Sequence, residues 1–132
     1  IVNQSDYDTI IANGVTLTIE AGSSVLFNAE GSLVVTRGSK LIAEGSDRQP
    51  ITFSSEDANY DGTGEWGGIV IQGFAPFWNE GASTNCNNDG EVWCNVAGEG
   101  VGSQALFGGT NEADNSGTLR YVRIAECHPD GA

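Results

Sequence analysis

The chain has 132 residues, enough for one domain with a core worth burying. Eighteen acidic against five basic side chains give a net charge of -13 with no acidic block, which argues against nucleic acid and anionic membrane surfaces as partners. Nineteen glycines and a single lysine make a poor helix-forming mixture, and no stretch approaches the ~20 apolar residues of a membrane-spanning helix.

Short β-branched runs bounded by Gly, Ser, Asn or Asp predict strands at Val15 to Ile19, Ser24 to Phe27, Leu33 to Thr36, Lys40 to Ala43, Ile51 to Ser54, Gly68 to Gln72, and Thr118 to Ile124. Helix is expected to be nearly absent, because no window keeps apolar residues at spacings of three and four. The chain opens at Ile1 and contains no methionine, so a processed product or a segment of a longer chain is expected.

Two neighbouring stretches repeat. Thr16-Leu17-Thr18-Ile19 lies over Ser32-Leu33-Val34-Val35 at an offset of 16, which also places Gly22-Ser23 on Gly38-Ser39 and Val25-Leu26 on Leu41-Ile42. With Leu17 as the marker, similar positions recur at Leu33, Ile51 and Ile69, at spacings of 16, 18 and 18. A unit this short cannot bury its own apolar face and must stack on its neighbours. The pattern predicts an all-β fold, a parallel β-helix, with Leu17, Leu33, Ile51 and Ile69 as one interior ladder. An antiparallel sandwich is the competing architecture, but hairpin dipeptides are lacking between the paired runs.

The marker spacing then jumps to 50 between Ile69 and Leu119, and the surplus corresponds to an inserted loop from about Phe74 to Leu106. The domain is therefore read as 1–132 with one insertion at about 74–106. Unstructured loops of that length are uncommon unless pinned or functional. Cys86 and Cys94 are the expected pin, closing a small ring by a disulfide in a non-cytosolic compartment. Cys127 is left over, and burial as a small apolar residue is the reading preferred to an intermolecular bridge. Trp66, Trp78 and Trp93 could stack on sugar rings, but covering an apolar flank is the commoner use of such side chains.

Oxygen donors at Asp57, Asn59 and Asp61 precede Gly62 in the spacing of the first half of a calcium loop, and Glu65 stands at position nine. Position twelve is Gly68 where a bidentate glutamate is needed, so the second half fails. Asn85, Asn87 and Asp89 before Gly90 are a weaker echo. Asp, Asn and Gly are also ordinary turn residues. The expectation is thus no cofactor, or a structural calcium ion at Asp57, Asn59, Asp61 and Glu65. The lone histidine, His128, has no sequence neighbour to orient it as a base, and P-loop, dinucleotide and zinc spacings are missing.

Gly64-Glu65-Trp66-Gly67-Gly68-Ile69-Val70-Ile71, Gly108-Gly109-Thr110, and Asp114-Asn115-Ser116-Gly117-Thr118-Leu119-Arg120-Tyr121-Val122-Arg123-Ile124 together resemble a family of secreted bacterial right-handed β-helix proteins. The segments "LTIEAG" and "GSLVVTRGSKLIAEG" resemble it too. The resemblance implies a right-handed parallel β-helix (solenoid) and a secreted, extracellular or cell-surface setting, without implying a reaction. The chain departs from the family pattern at Glu126-Cys127-His128-Pro129.

The functional expectation is a non-catalytic structural or adhesive module, with extracellular polysaccharide and copies of itself, stacked end to end into filaments, as its partners. No catalytic residue is assigned. The enzymatic alternative is a polysaccharide lyase or hydrolase using Arg120 or Arg123 as base, or paired carboxylates, on an outer face. Arg120 and Arg123 fall on opposite faces of an ideal strand unless the chain turns a corner between them. Ice binding is the remaining alternative, but the threonine row begun at Thr16 and Thr18 gives way to Ser32 and Val34.

Overall fold

A computed structural model describes residues 14–29, 31–57, 64–76, 96–98, 102–109 and 111–127. Among them are ten strands and no helix: β1 (Thr16–Ile19), β2 (Ser24–Phe27), β3 (Leu33–Val35), β4 (Lys40–Glu44), β5 (Ile51–Ser55), β6 (Ile69–Ile71), β7 (Val96–Gly98), β8 (Gly102–Phe107), β9 (Gly117–Arg120) and β10 (Val122–Ile124). Seven predicted strands are found within a residue or two of their expected limits, the last divided in two.

The strands form sheets in the orders β1-β4-β9, β10-β5-β2 and β3-β6, with β7 and β8 paired separately. The chain thus visits the sheets in the same order on successive passes: β1, β2, β3, then β4, β5, β6, then β9 and β10. That recurrence is parallel β-helix topology. Parallel pairing is direct between β2 and β5 (Val25 opposite Phe53), β5 and β10 (Ile51 opposite Val122), and β4 and β9 (Ala43 opposite Leu119).

The register corrects the expected coil length. Ser24 stands opposite Thr52, 28 residues on, so one coil is far longer than 16 or 18. Leu17, Leu33, Ile51 and Ile69 do not form one ladder, because they lie on strands of three different sheets, and Leu17 is 44% exposed. The offset of 16 aligns β1 and β2 with β3 and β4, so what repeats is a strand, corner and strand rather than a coil. The corners do match. Ser23 N donates to Glu20 O (3.2 Å) and Ser39 N to Thr36 O (3.0 Å), with Gly22 and Gly38 at φ of 82° and 80°. Left-handed φ at the third residue of a four-residue turn is the type II pattern, which favours glycine there.

The chain falls into two compact units. One comprises Thr16–Leu33, Leu41–Val70 and Gly117–Ala132. Its core is Ala43, Ile51, Phe53 and Trp66, with Ile19, Val25, Phe27, Leu33, Ile69, Val122 and Cys127 packed against it. Alternation builds this core: Ile51 and Phe53 on β5 are fully buried, and their parallel partners Val122 and Val25 lie on the same face. Successive passes turn the corner between the first two sheets differently. Six residues, Gly45 to Pro50, join β4 to β5, whereas Tyr121 alone joins β9 to β10. Tyr121 manages it at φ 50°, and its carbonyl accepts from Ile51 N (3.0 Å) while Arg120 O accepts from Gly45 N (2.8 Å).

The other unit comprises Ile1–Val15, Val34–Lys40 and Ile71–Ser116. Here Arg37 is buried, donates from Nη1 to Gly108 O (2.9 Å), and lies 5.2 Å from the centroid of the Phe74 ring. The insertion contributes an antiparallel pair, β7 with β8, in which Val96 faces Phe107 and the register shifts between Ala97 and Gly98. That hairpin was not expected from sequence. Its glycine-rich strands carry little periodic apolar signal.

Candidate functional site

In the first of these units the ladder between β5 and β10 fails at one place, and polar side chains gather there. Up to Phe53 the strand is bonded on both sides: Thr52 N donates to Ser23 O (2.9 Å), and Ala125 N donates to Phe53 O (3.0 Å). In a regular parallel ladder the Ala125 carbonyl would next receive Ser55 N–H. It accepts instead from Trp66 Nε1 at 2.7 Å. Glu126 supplies the acceptor in its place, Oε2 taking Ser55 N–H at 3.1 Å and the Ser54 hydroxyl at 2.5 Å.

Glu126 reaches this position because its backbone is left-handed, at φ 61°. Alternation along β10 would send residue 126 to the same face as Val122 and Ile124. The bend resets the phase, so that Cys127 packs against the core and pairs in parallel with Trp66. Glu126 is 8% exposed, the buried acid among the described residues. Its Oε1 is also buried and accepts no hydrogen bond. A buried acceptor without a donor costs on the order of 1–3 kcal/mol, more when charged.

The excursion between β5 and Trp66 has both its feet on Glu126. At the outgoing foot the carboxylate holds Ser54 and Ser55, and Asp57 N donates to Ser55 Oγ (2.9 Å). At the returning foot Glu65 N donates to Glu126 O (3.1 Å), and Gly64 N to Cys127 O (3.4 Å). Of the four expected calcium ligands, Asp57 is exposed and Glu65 half-buried at these two feet. Asn59 and Asp61 lie outside the described residues, as do Cys86, Cys94, Trp78, Trp93, His128 and the Asn85 to Glu91 stretch. Among the described residues no group of three His, Cys, Asp or Glu side chains is placed to hold a metal ion.

Trp66 is a core residue, 1% exposed and stacked on Phe27 with centroids 4.3 Å apart and planes 9° from parallel. Covering the apolar interior, rather than a sugar platform, is its role. Cys127 is a half-buried free thiol. The corner at Tyr121 separates the two arginines. Arg120 ends β9 beside Glu44 of β4, with its guanidinium 5.5 Å from the centroid of the exposed Tyr121 ring. Arg123 lies on β10 opposite Thr52. Glu126 was passed over in the sequence although a signal existed: an acid stands where alternation demands an apolar residue.

Strand order and the repeated parallel register define the class, a parallel β-helix domain. Residues 4–127 match the pectate-lyase-like β-helix domain family, and the chain belongs to it. No curated protein and no solved structure matches the chain.

Proposed function

We propose that the chain is a non-catalytic extracellular β-helix module that presents the outer faces of its sheets to polysaccharide. The observation that carries this reading is the corner at Tyr121, which sends Arg120 and Arg123 onto different sheets. One oxygen of the buried Glu126 carboxylate is engaged by Ser54 and Ser55. Among the described residues, the two arginines a lyase would use as base are thus dispersed, and the buried acid is in part structurally committed. An outward row from three successive passes, Ser24, Thr52 and Arg123, offers hydroxyls and a cation at one strand spacing, ~4.8 Å, suited to a sugar chain lying across the strands.

The competing reading, a polysaccharide lyase, is favoured by membership of a pectate-lyase-like family. One experiment separates them. The protein is incubated with acidic and neutral polysaccharides in the presence of calcium, and both retention on the polysaccharide and ultraviolet absorbance from a new carbon-carbon double bond are followed. Retention without absorbance is expected. Absorbance that disappears in Arg120→Ala or Arg123→Ala would overturn the module in favour of the lyase.

The same reading includes end-to-end stacking of copies into filaments. Its support is apolar side chains on the outermost strands: Leu17 on β1, Leu119 on β9 and Ile124 on β10 are 44%, 43% and 44% exposed. Electron microscopy of concentrated protein should show linear polymers. A monodisperse monomer would remove this part of the proposal.

A further inference from the structure

We propose that the base of the excursion between β5 and Trp66 is a site for one hard divalent cation, calcium by its oxygen donors, held by the carboxylates of Glu126 and Glu65. Glu126 supplies the decisive observation. It is more than nine-tenths buried, one of its oxygens is saturated by Ser54 and Ser55, and the other accepts nothing. A carboxylate oxygen in that state is costly, and a cation is the partner that satisfies it without a hydrogen-bond donor.

Glu65 is the second ligand by position. Its N–H bonds the Glu126 carbonyl, and the next pair along, Trp66 and Cys127, is bridged in parallel, so the two glutamates are cross-ladder neighbours. Their backbones lie about one strand spacing apart, ~4.8 Å, where like charges destabilise a sheet and an intervening cation reverses the sign of the effect. The thiol of Cys127 belongs to the core side of the ladder and leaves an oxygen-only donor set. Calcium takes six to eight oxygens, so two carboxylates make only part of its shell, which puts the site in the weak range of roughly 10⁻⁴–10⁻³ M.

This inference moves the metal from the sequence-local loop to a residue 61 positions beyond Glu65. The Asp57 loop lacks a bidentate acid at its twelfth position. Glu126, brought in by the ladder, supplies one carboxylate oxygen, Oε1, from the neighbouring pass. Binding here does not depend on any polysaccharide activity, and its failure would leave the proposed function untouched.

The test is thermal unfolding of the full chain in chelator and in 10 mM calcium at matched ionic strength. A rise of about 5–10 °C is expected for a site of this strength in a domain of this size. Glu65→Gln leaves the Ser54 and Ser55 bonds intact and should abolish the rise, as should Glu126→Gln if that variant folds. Glu44→Gln, an exposed acid at the end of β4, should keep it. No rise in the unsubstituted protein overturns the site. So does a rise that survives in Glu65→Gln, or one lost equally in Glu44→Gln, which would mark general screening of the negative charge.

Discussion

Strand β5 is held in two different ways along its five residues. At Ile51 and Phe53 the work is done by backbone ladders and by apolar side chains stacked from pass to pass, with both side chains at 0% exposure. At Ser54 and Ser55 the ladder to β2 continues, but on the β10 side a single carboxylate from a distant segment takes over, and an indole N–H occupies the carbonyl that the ladder would have used. The first mode is periodic and shared among many weak contacts. The second concentrates several polar obligations on Glu126, and there a single substitution removes them together.

The largest effect should come where both modes meet. Trp66 stacks on Phe27 in the core and donates to Ala125 at the failed ladder position. Trp66→Ala is expected to cost about 3–5 kcal/mol, measured by denaturant unfolding. Trp66→Phe keeps most of the buried area and should recover more than half of that loss. If it recovers nothing, the indole hydrogen bond outweighs the packing and the comparison drawn for β5 is misweighted.

Glu126→Ala strips the acceptor from Ser55 N–H and the Ser54 hydroxyl, with an expected loss of about 2–3 kcal/mol. Combining it with Ser54→Ala should give less than the sum of the single losses, because the two residues share one bond. Strict additivity would mean that the bond between them contributes nothing.

Gly22→Ala probes the periodic mode at a corner. An added Cβ would meet only Gln49 at 3.5 Å, ordinary contact, so the cost is that of the left-handed backbone, about 1–2 kcal/mol. Tyr121→Gly is the smallest and has the opposite sign. It relieves a non-glycine residue at φ 50° but adds chain entropy, for a net gain of about 0.5–1 kcal/mol in the melting curve. A net loss would show that the exposed ring, with Arg120 beside it, stabilises the corner.

Much of the periodic mode was legible in the sequence. Short β-branched runs separated by Gly-Ser pairs placed β1 to β6 nearly at their limits, since alternation and turn chemistry are local properties. Coil length was misread, because the corners at Gly22 and Gly38 share a turn type although they join different pairs of sheets. Nothing local distinguishes them. The corner at Tyr121 was anticipated only as a condition on the two arginines, because a tyrosine carries no sequence signal for left-handed backbone. Of the metal ligands, the loop acids stood out by spacing, while Glu126 acts across a ladder whose register no linear motif encodes.

Amide hydrogen exchange on the folded protein tests the division of β5 most directly. Thr52 N–H and Ile51 N–H bond to backbone carbonyls, whereas Ser55 N–H bonds to the Glu126 side chain. In Glu126→Ala, protection at Ser55 should fall by at least about tenfold, equivalent to ~1.4 kcal/mol of local opening, beyond whatever global loss Thr52 and Ile51 record. Equal changes at all three amides, or an unchanged Ser55, would contradict the claim that the carboxylate replaces the ladder there.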